Sequence, residues 1–356
     1  MKKLGHVAVL GTGVIGASWA ALFLAAGKRV VVHDPDNRSM DRLNAFVARV
    51  WPDLRELDIF SSRTPGKIEF GGSAVEAVEG ADFIQESVPE KLEVKHRLYA
   101  EIEPYLGQET VLASSASGLM LSELQEAWTD PSRIVLGHPF NPPHLIPLVE
   151  VFGNERTGKG VVEATETFYA SIGKTTIRLR REVPGHIANR MQAAIWREAI
   201  HLAREGVASV EDIDRAISAG PGLRWAVMGP TTLFHLAGGE GGIGEFCNRY
   251  GPSFQRWWKD LGNPEFDDET KRIVVEGLQA ARNPNAIEEL ADERDRKLLA
   301  TLSERRVTRI QVRCGPRNHP HRILHDGTAN PMLLHPPEHP AATPPKLAKL
   351  KMRALL

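Results

Sequence analysis

Short apolar runs alternate with stretches of helical periodicity through the first half of the chain. Val7-Ala8-Val9-Leu10 has the length and continuity of a buried strand, and the small-residue segment Ala17-Ser18-Trp19-Ala20-Ala21 after it opens a helix. Val30-Val31-Val32 predicts a second strand, and the apolar-periodic stretch from Met40 to Val50 a helix. A second short helical piece around Leu54 to Phe60 and a turn at Thr64-Pro65-Gly66 complete what reads as an insertion between strands. Ala81 to Ser87, Val111 to Ser114, Ile134 to His138, Leu148 to Val151 and Thr176 to Leu179 predict further strands. Helical stretches at Leu92 to Glu103 and Gly160 to Ile172 lie between them. Such alternation implies an α/β fold with a doubly wound parallel sheet.

Beyond Pro184-Gly185 the strand signals stop. Ile187 to Gly206, Val210 to Ser218, Glu269 to Ala281 and Glu288 to Leu302 read as helices, so an all-helical C-terminal domain over 184–306 follows an α/β domain over 1–183. Eight prolines and five histidines are scattered through 307–356 without sustained periodicity. That segment reads as a disordered basic tail, apart from a short helical pattern at Lys346 to Leu355.

The first glycine cluster carries chemistry. Gly11-Thr12-Gly13-Val14-Ile15-Gly16 follows the first strand and opens the first helix, and Asp34 stands 18 residues after Gly16 at the end of the second strand. A tight turn, a close backbone approach and close helix packing each need a glycine there, and a helix N-terminus favours a pyrophosphate. Asp34 is placed to accept from a ribose 2′-hydroxyl and to repel a 2′-phosphate, which favours NAD over NADP. Arg38 is the one nearby cation that would act against this preference. The fold expected is therefore a Rossmann-type doubly wound sheet followed by helices.

Composition narrows the class. With 356 residues, 42% hydrophobic and 25% charged, the chain can bury two ordinary cores. No apolar run approaches the ~20 residues of a membrane span. Met1 to His6 lead directly into the first strand, leaving no room for a leader, and Cys247 and Cys314 suggest neither a disulfide framework nor a metal site. A cytoplasmic protein is expected. After position 304 ten basic residues face two acidic ones, so the rest of the chain is acidic and offers no general field for nucleic acid.

Three further segments stand at chemically telling places: Ser114-Ser115-Ala116-Ser117-Gly118-Leu119, Gly137-His138-Pro139-Phe140-Asn141-Pro142-Pro143, and Val183-Pro184-Gly185-His186-Ile187-Ala188-Asn189-Arg190. With Glu150, 12 residues after His138, they closely resemble the L-3-hydroxyacyl-CoA dehydrogenase family over roughly residues 5–305. The resemblance implies a catalytic His138–Glu150 pair, with Ser117 and Asn189 holding substrate oxygens. It also adds Val14, Ile15, Glu90 and Lys95 to the cofactor contacts. Imidazole is the side chain that exchanges protons near neutral pH, as oxidation of a secondary alcohol requires. His186, His201 and His235 read as ordinary surface or core histidines.

Within the family, Gln85-Glu86-Ser87-Val88-Pro89-Glu90 and Gly222-Leu223-Arg224-Trp225-Ala226-Val227-Met228-Gly229-Pro230 are most similar to the branch with lambda-crystallin (L-gulonate dehydrogenase) and carnitine dehydrogenase. That branch handles small free hydroxy acids. Residues 36–66 contain no lysine for CoA phosphates, and Arg224 offers a fork for a substrate carboxylate or, equally, for an acidic neighbour. Gly238 to Gly242 and Trp257-Trp258 resemble carnitine-type sequences, whose aromatic faces suit a trimethylammonium head, yet tryptophans serve equally in cores and interfaces. The expectation is NAD-dependent oxidation of a short L-3-hydroxy acid by a homodimer. An L-3-hydroxyacyl-CoA thioester substrate is the alternative, and a non-catalytic crystallin-like protein the rival.

Overall fold

The computed structural model describes residues 5–57, 67–281 and 286–311, with the side chains of 304–311 excepted. The chain divides into two units, Met1–Arg309 and Ile310–Leu356, and the whole sheet lies in the first. The α/β half of this first unit runs β1 (His6–Leu10), α1 (Val14–Ala25), β2 (Arg29–His33), α2 (Ser39–Glu56), β3 (Ile68–Phe70), α3 (Ala74–Val78), β4 (Phe83–Glu86) and α4 (Leu92–Ile102). It continues with β5 (Val111–Ser114), α5 (Leu121–Leu124), β6 (Ile134–Pro139), β7 (Leu148–Phe152), α6 (Val161–Ser171) and β8 (Thr175–Arg178).

These strands form one sheet in the order β3-β2-β1-β4-β5-β6-β7-β8. Alternate residues face opposite layers: Val7, Val9, Val30 and Val32 meet Trp19, Phe23 and Tyr169, while Ala8, Leu10 and Val31 meet the α3 and α4 side. Helix α1 is buried from Gly16 to Ala25 because its small residues let it sink between sheet and α2. The strand order reverses at β1 and β4, and the crevice at their C-terminal ends is where such a sheet binds ligands.

Three elements depart from the sequence expectation. The sheet is parallel except at β6 and β7, which pair antiparallel. Residues 140–147 are too few for a crossover helix, so the chain can only return as a hairpin. Helix α2 continues through Pro52 to Glu56 in place of two pieces, and the remainder of the expected second piece lies outside the described residues. The edge strand β3 stands just past what reads from sequence as an insertion, where no strand is expected.

The helical half comprises α7 (Ala188–Arg204), α8 (Val210–Ala219), α9 (Pro221–Val227), α10 (Pro230–Ala237), α11 (Gly242–Asp260), α12 (Asp268–Ala281) and α13 (Ile287–Gln311). Helix α13 passes position 306, where hydrophobic periodicity stops, and Glu304, Arg305 and Arg306 are good helix formers that need no apolar face. It returns to the α/β half, where Leu299 packs with Leu57 and Leu145. Among the described residues no helix is long and apolar enough to cross a membrane. The tail from 312 lies outside the described residues.

Candidate active site

The glycine turn joins β1 to α1. Gly11 has φ +85°, and a side chain there would meet the Ser87 carbonyl at 2.7 Å, while one at Gly16 would strike the Gly11 carbonyl at 1.8 Å. Gly13 faces open space at the start of α1, which has no side-chain cap and no acidic residue in its first turn. Free N–H groups and the helix dipole therefore face the crevice, a fit for a pyrophosphate. Val14 is exposed on this turn, and Asp34 stands beside it, its carboxylate accepting from Thr12 N and Oγ1 at 2.8 and 2.9 Å and from Asp36 N at 3.0 Å. Arg38 points into solvent and lies 3.8 Å from Asp36.

The antiparallel register sets His138 directly opposite Glu150. Cross-strand neighbours share a face, so the two side chains meet, with His138 Nδ1 2.9 Å from Glu150 Oε2. Glu150 is fully buried, and its other oxygen accepts from the Ile187 and Ala188 amides at 2.8 and 3.1 Å, at the N-terminus of α7. Burial alone would raise the Glu150 carboxyl pKa, but the hydrogen bonds from His138, Ala188 and Ile187 outweigh it and hold the group below its ordinary value. An ionised Glu150 fixes His138 with its proton on Nδ1, which leaves Nε2 to accept.

A cavity of about 550 Å³ opens here, bordered by Ile15, Ser117, His138, Asn189, Glu90 and Lys95. The structure thus brings together the expected pair, both expected polar side chains and three expected cofactor contacts. Glu90 Oε1 gathers the amides of Ser117, Gly118 and Leu119 at 2.8, 2.7 and 3.2 Å, which holds the Ser117 loop by its backbone. Lys95 is drawn into the floor: its Nζ lies 2.6 Å from Glu86 Oε1, which is fully buried and also binds Tyr99 and Ser114. Arg224, exposed on α9, does not border this cavity, nor do Trp257 and Trp258.

Sequence reasoning misses Ser87, Ser115, Phe140 and Gln192, which also border the cavity. Ser87 and Ser115 stand just past β4 and β5, and their position at strand ends is a usable signal. It also misses His186, ordinary by its sequence surroundings, whose ring lies 4.9 Å from that of His138.

The glycine turn fits a dinucleotide and opens beside the buried His–Glu pair, and the family and relatives that the chain matches make it an NAD-dependent oxidoreductase acting on a CH–OH group. Residues 6–183 match the NAD binding domain of 3-hydroxyacyl-CoA dehydrogenase and residues 185–272 its C-terminal domain. The chain belongs to the 3-hydroxyacyl-CoA dehydrogenase family. It is 46% identical to an L-carnitine dehydrogenase of Streptomyces griseus over 85% of this chain and 90% of that protein. It is 43% identical to one from Pseudomonas aeruginosa, over 87% and 97%. Among solved structures, the NAD+-dependent dismutase 5-formyl-3-hydroxy-2-methylpyridine 4-carboxylic acid 5-dehydrogenase superposes with TM-score 0.74 at 30% identity, covering 86% of this chain and 98% of that one. The 3-hydroxybutyryl-CoA dehydrogenase of Escherichia coli superposes with TM-score 0.56 at 28% identity, over 71% and 53%.

Proposed function

We propose that this chain oxidises the 3-hydroxyl of a short, free, carnitine-like L-3-hydroxy acid to the 3-oxo compound. The observation that carries the chemistry is the His138–Glu150 pair at the cavity wall. His138 Nε2 takes the hydroxyl proton as the carbon–oxygen double bond forms, and the carbinol hydrogen leaves with its electron pair as hydride. Bound NAD supplies the acceptor for that hydride. Glu150 stabilises the imidazolium, while Ser117 and Asn189 hold the substrate oxygens so that the carbinol hydrogen faces the cradle. Support for the substrate class comes from the 40–46% identity to relatives named L-carnitine dehydrogenase and from the absence of lysine in residues 36–66.

The helical half is read as the surface of a homodimer. Trp196, Leu223, Val227, Trp257 and Trp258 are all at least half exposed, large apolar side chains that a second copy would cover. Arg224 is exposed between Leu223 and Val227 on α9 and away from the cavity, and its role toward a substrate carboxylate is assigned to a site completed by a second copy.

The test is NAD reduction with L-carnitine, L-gulonate, L-3-hydroxybutyrate and L-3-hydroxybutyryl-CoA in parallel. Highest kcat/KM on a free acid is expected, and turnover of the thioester alone overturns the substrate. His138→Asn is expected to lose ~10²–10⁴-fold in kcat while still binding NADH, the usual range for a positioned base. Near-normal turnover by that variant overturns the mechanism.

A further inference from the structure

His186 occupies a position that an ordinary core histidine has no reason to hold. It is 4% exposed, and its Nε2 lies 3.1 Å from the Ala116 carbonyl. A carbonyl only accepts, so Nε2 carries the proton and donates. Its ring is inclined at 51° to that of His138. Alone among the described non-glycine residues it has a positive φ, +51°, directly after Gly185 at +73°. A side chain in this sparsely populated region persists only where its surroundings impose it, and such residues gather at functional sites.

The two left-handed residues turn the chain so that the next two amides, of Ile187 and Ala188, reach Glu150. The ring meanwhile touches His138 on β6 and the carbonyl just before Ser117. One residue therefore ties together the segments that carry Ser117, His138, Glu150 and Asn189.

We infer that His186 is a positioning residue for the oxidation proposed above, holding the His138 imidazole with Nε2 toward the cavity and Ser117 at the matching distance across it. The charged groups facing its ring are His138 from β6, Glu150 from β7 and Glu90 from the loop after β4. Burial depresses its pKa, against the hydrogen bond to Ala116, and a charged His138 depresses it further.

The inference rests on that reading of the reaction, so the experiment separates the two. His186→Phe keeps a ring without the donor, and His186→Gln keeps a donor near the Nε2 position without the ring. NADH affinity by fluorescence is expected within about twofold of the parent in both, since the cradle is untouched. In His186→Phe kcat falls ~10-fold or more with little change in KM, the scale of lost alignment, and His186→Gln recovers part of it. Histidine ring 15N NMR at a single neutral pH shows His138 with its proton on Nδ1 in the parent, as the 2.9 Å contact to Glu150 requires, and a mixture of the two ring tautomers in His186→Phe. Unchanged kcat and an unchanged His138 tautomer in the variants overturn the inference. If His186→Phe does not fold, His186→Gln against the parent decides. If the parent oxidises no 3-hydroxy acid, the reaction reading falls, while the His138 tautomer still tests whether His186 governs His138.

Discussion

Two buried carboxylates carry the site, and each survives burial by a different means. Glu86 is neutralised by Lys95, itself 1% exposed, and a buried ion pair is most costly when only one partner is removed. Lys95→Met is expected to lose about 3–5 kcal/mol of stability by urea denaturation, and the double variant with Glu86→Gln to recover much of it. Glu150 has the His138 ring and two helix amides, and its pKa is lowered on folding. A group so depressed contributes its full stabilisation above the ordinary carboxylate range and loses it as pH falls through the folded value. Denaturation midpoints followed from pH 7 downward therefore fall less steeply in Glu150→Gln than in the parent. That variant also loses kcat, because an amide cannot stabilise the imidazolium.

The loop between β6 and β7, residues 140–147, is held from below by α1 and the segment before β8. Ser18 of α1 accepts from His144 N at 2.8 Å and bonds its Nδ1 at 2.7 Å. Lys174 Nζ donates to the Pro143 and Ile146 carbonyls and lies 4.9 Å from the Trp19 ring centre. Burial lowers the Lys174 pKa to about 7. The unfolded chain binds that proton up to the ordinary lysine range, so folding releases it and stability rises from pH 7 toward 10. Lys174→Met removes that rise, as denaturation across the interval will show. How much is legible in the sequence differs from element to element. The glycine turn, α1 and Asp34 are local and periodic, and the sequence displays them openly. The reversal at β7 is hidden, because Val149-Glu150-Val151 reads the same in either strand direction. Strand β3 has three partly buried residues, too few for a pattern, and α9 to α11 begin among glycines and prolines that mask their periodicity. His186 escapes notice because its partner Ala116 is 70 residues away and its backbone angle leaves no mark in composition.

At the scale of the whole molecule, the apolar face of the helical half predicts a dimer that Trp258→Glu weakens, measured by sedimentation equilibrium. A parent chain that is monomeric at micromolar concentration overturns the dimer. The packing of Leu299 on Leu57 and Leu145 joins the last described helix to the first half of the chain, and Leu299→Ala is expected to cost about 2–5 kcal/mol. During synthesis every strand of the sheet leaves the ribosome well before residue 299. Until that residue follows, Leu145 in the loop carrying Phe140 has Leu57 beside it but not the α13 side of its cluster. A fragment ending at residue 183 would hold the complete cradle yet lack this contact, the Ile187 and Ala188 amides that hold Glu150, and Asn189 at the cavity wall.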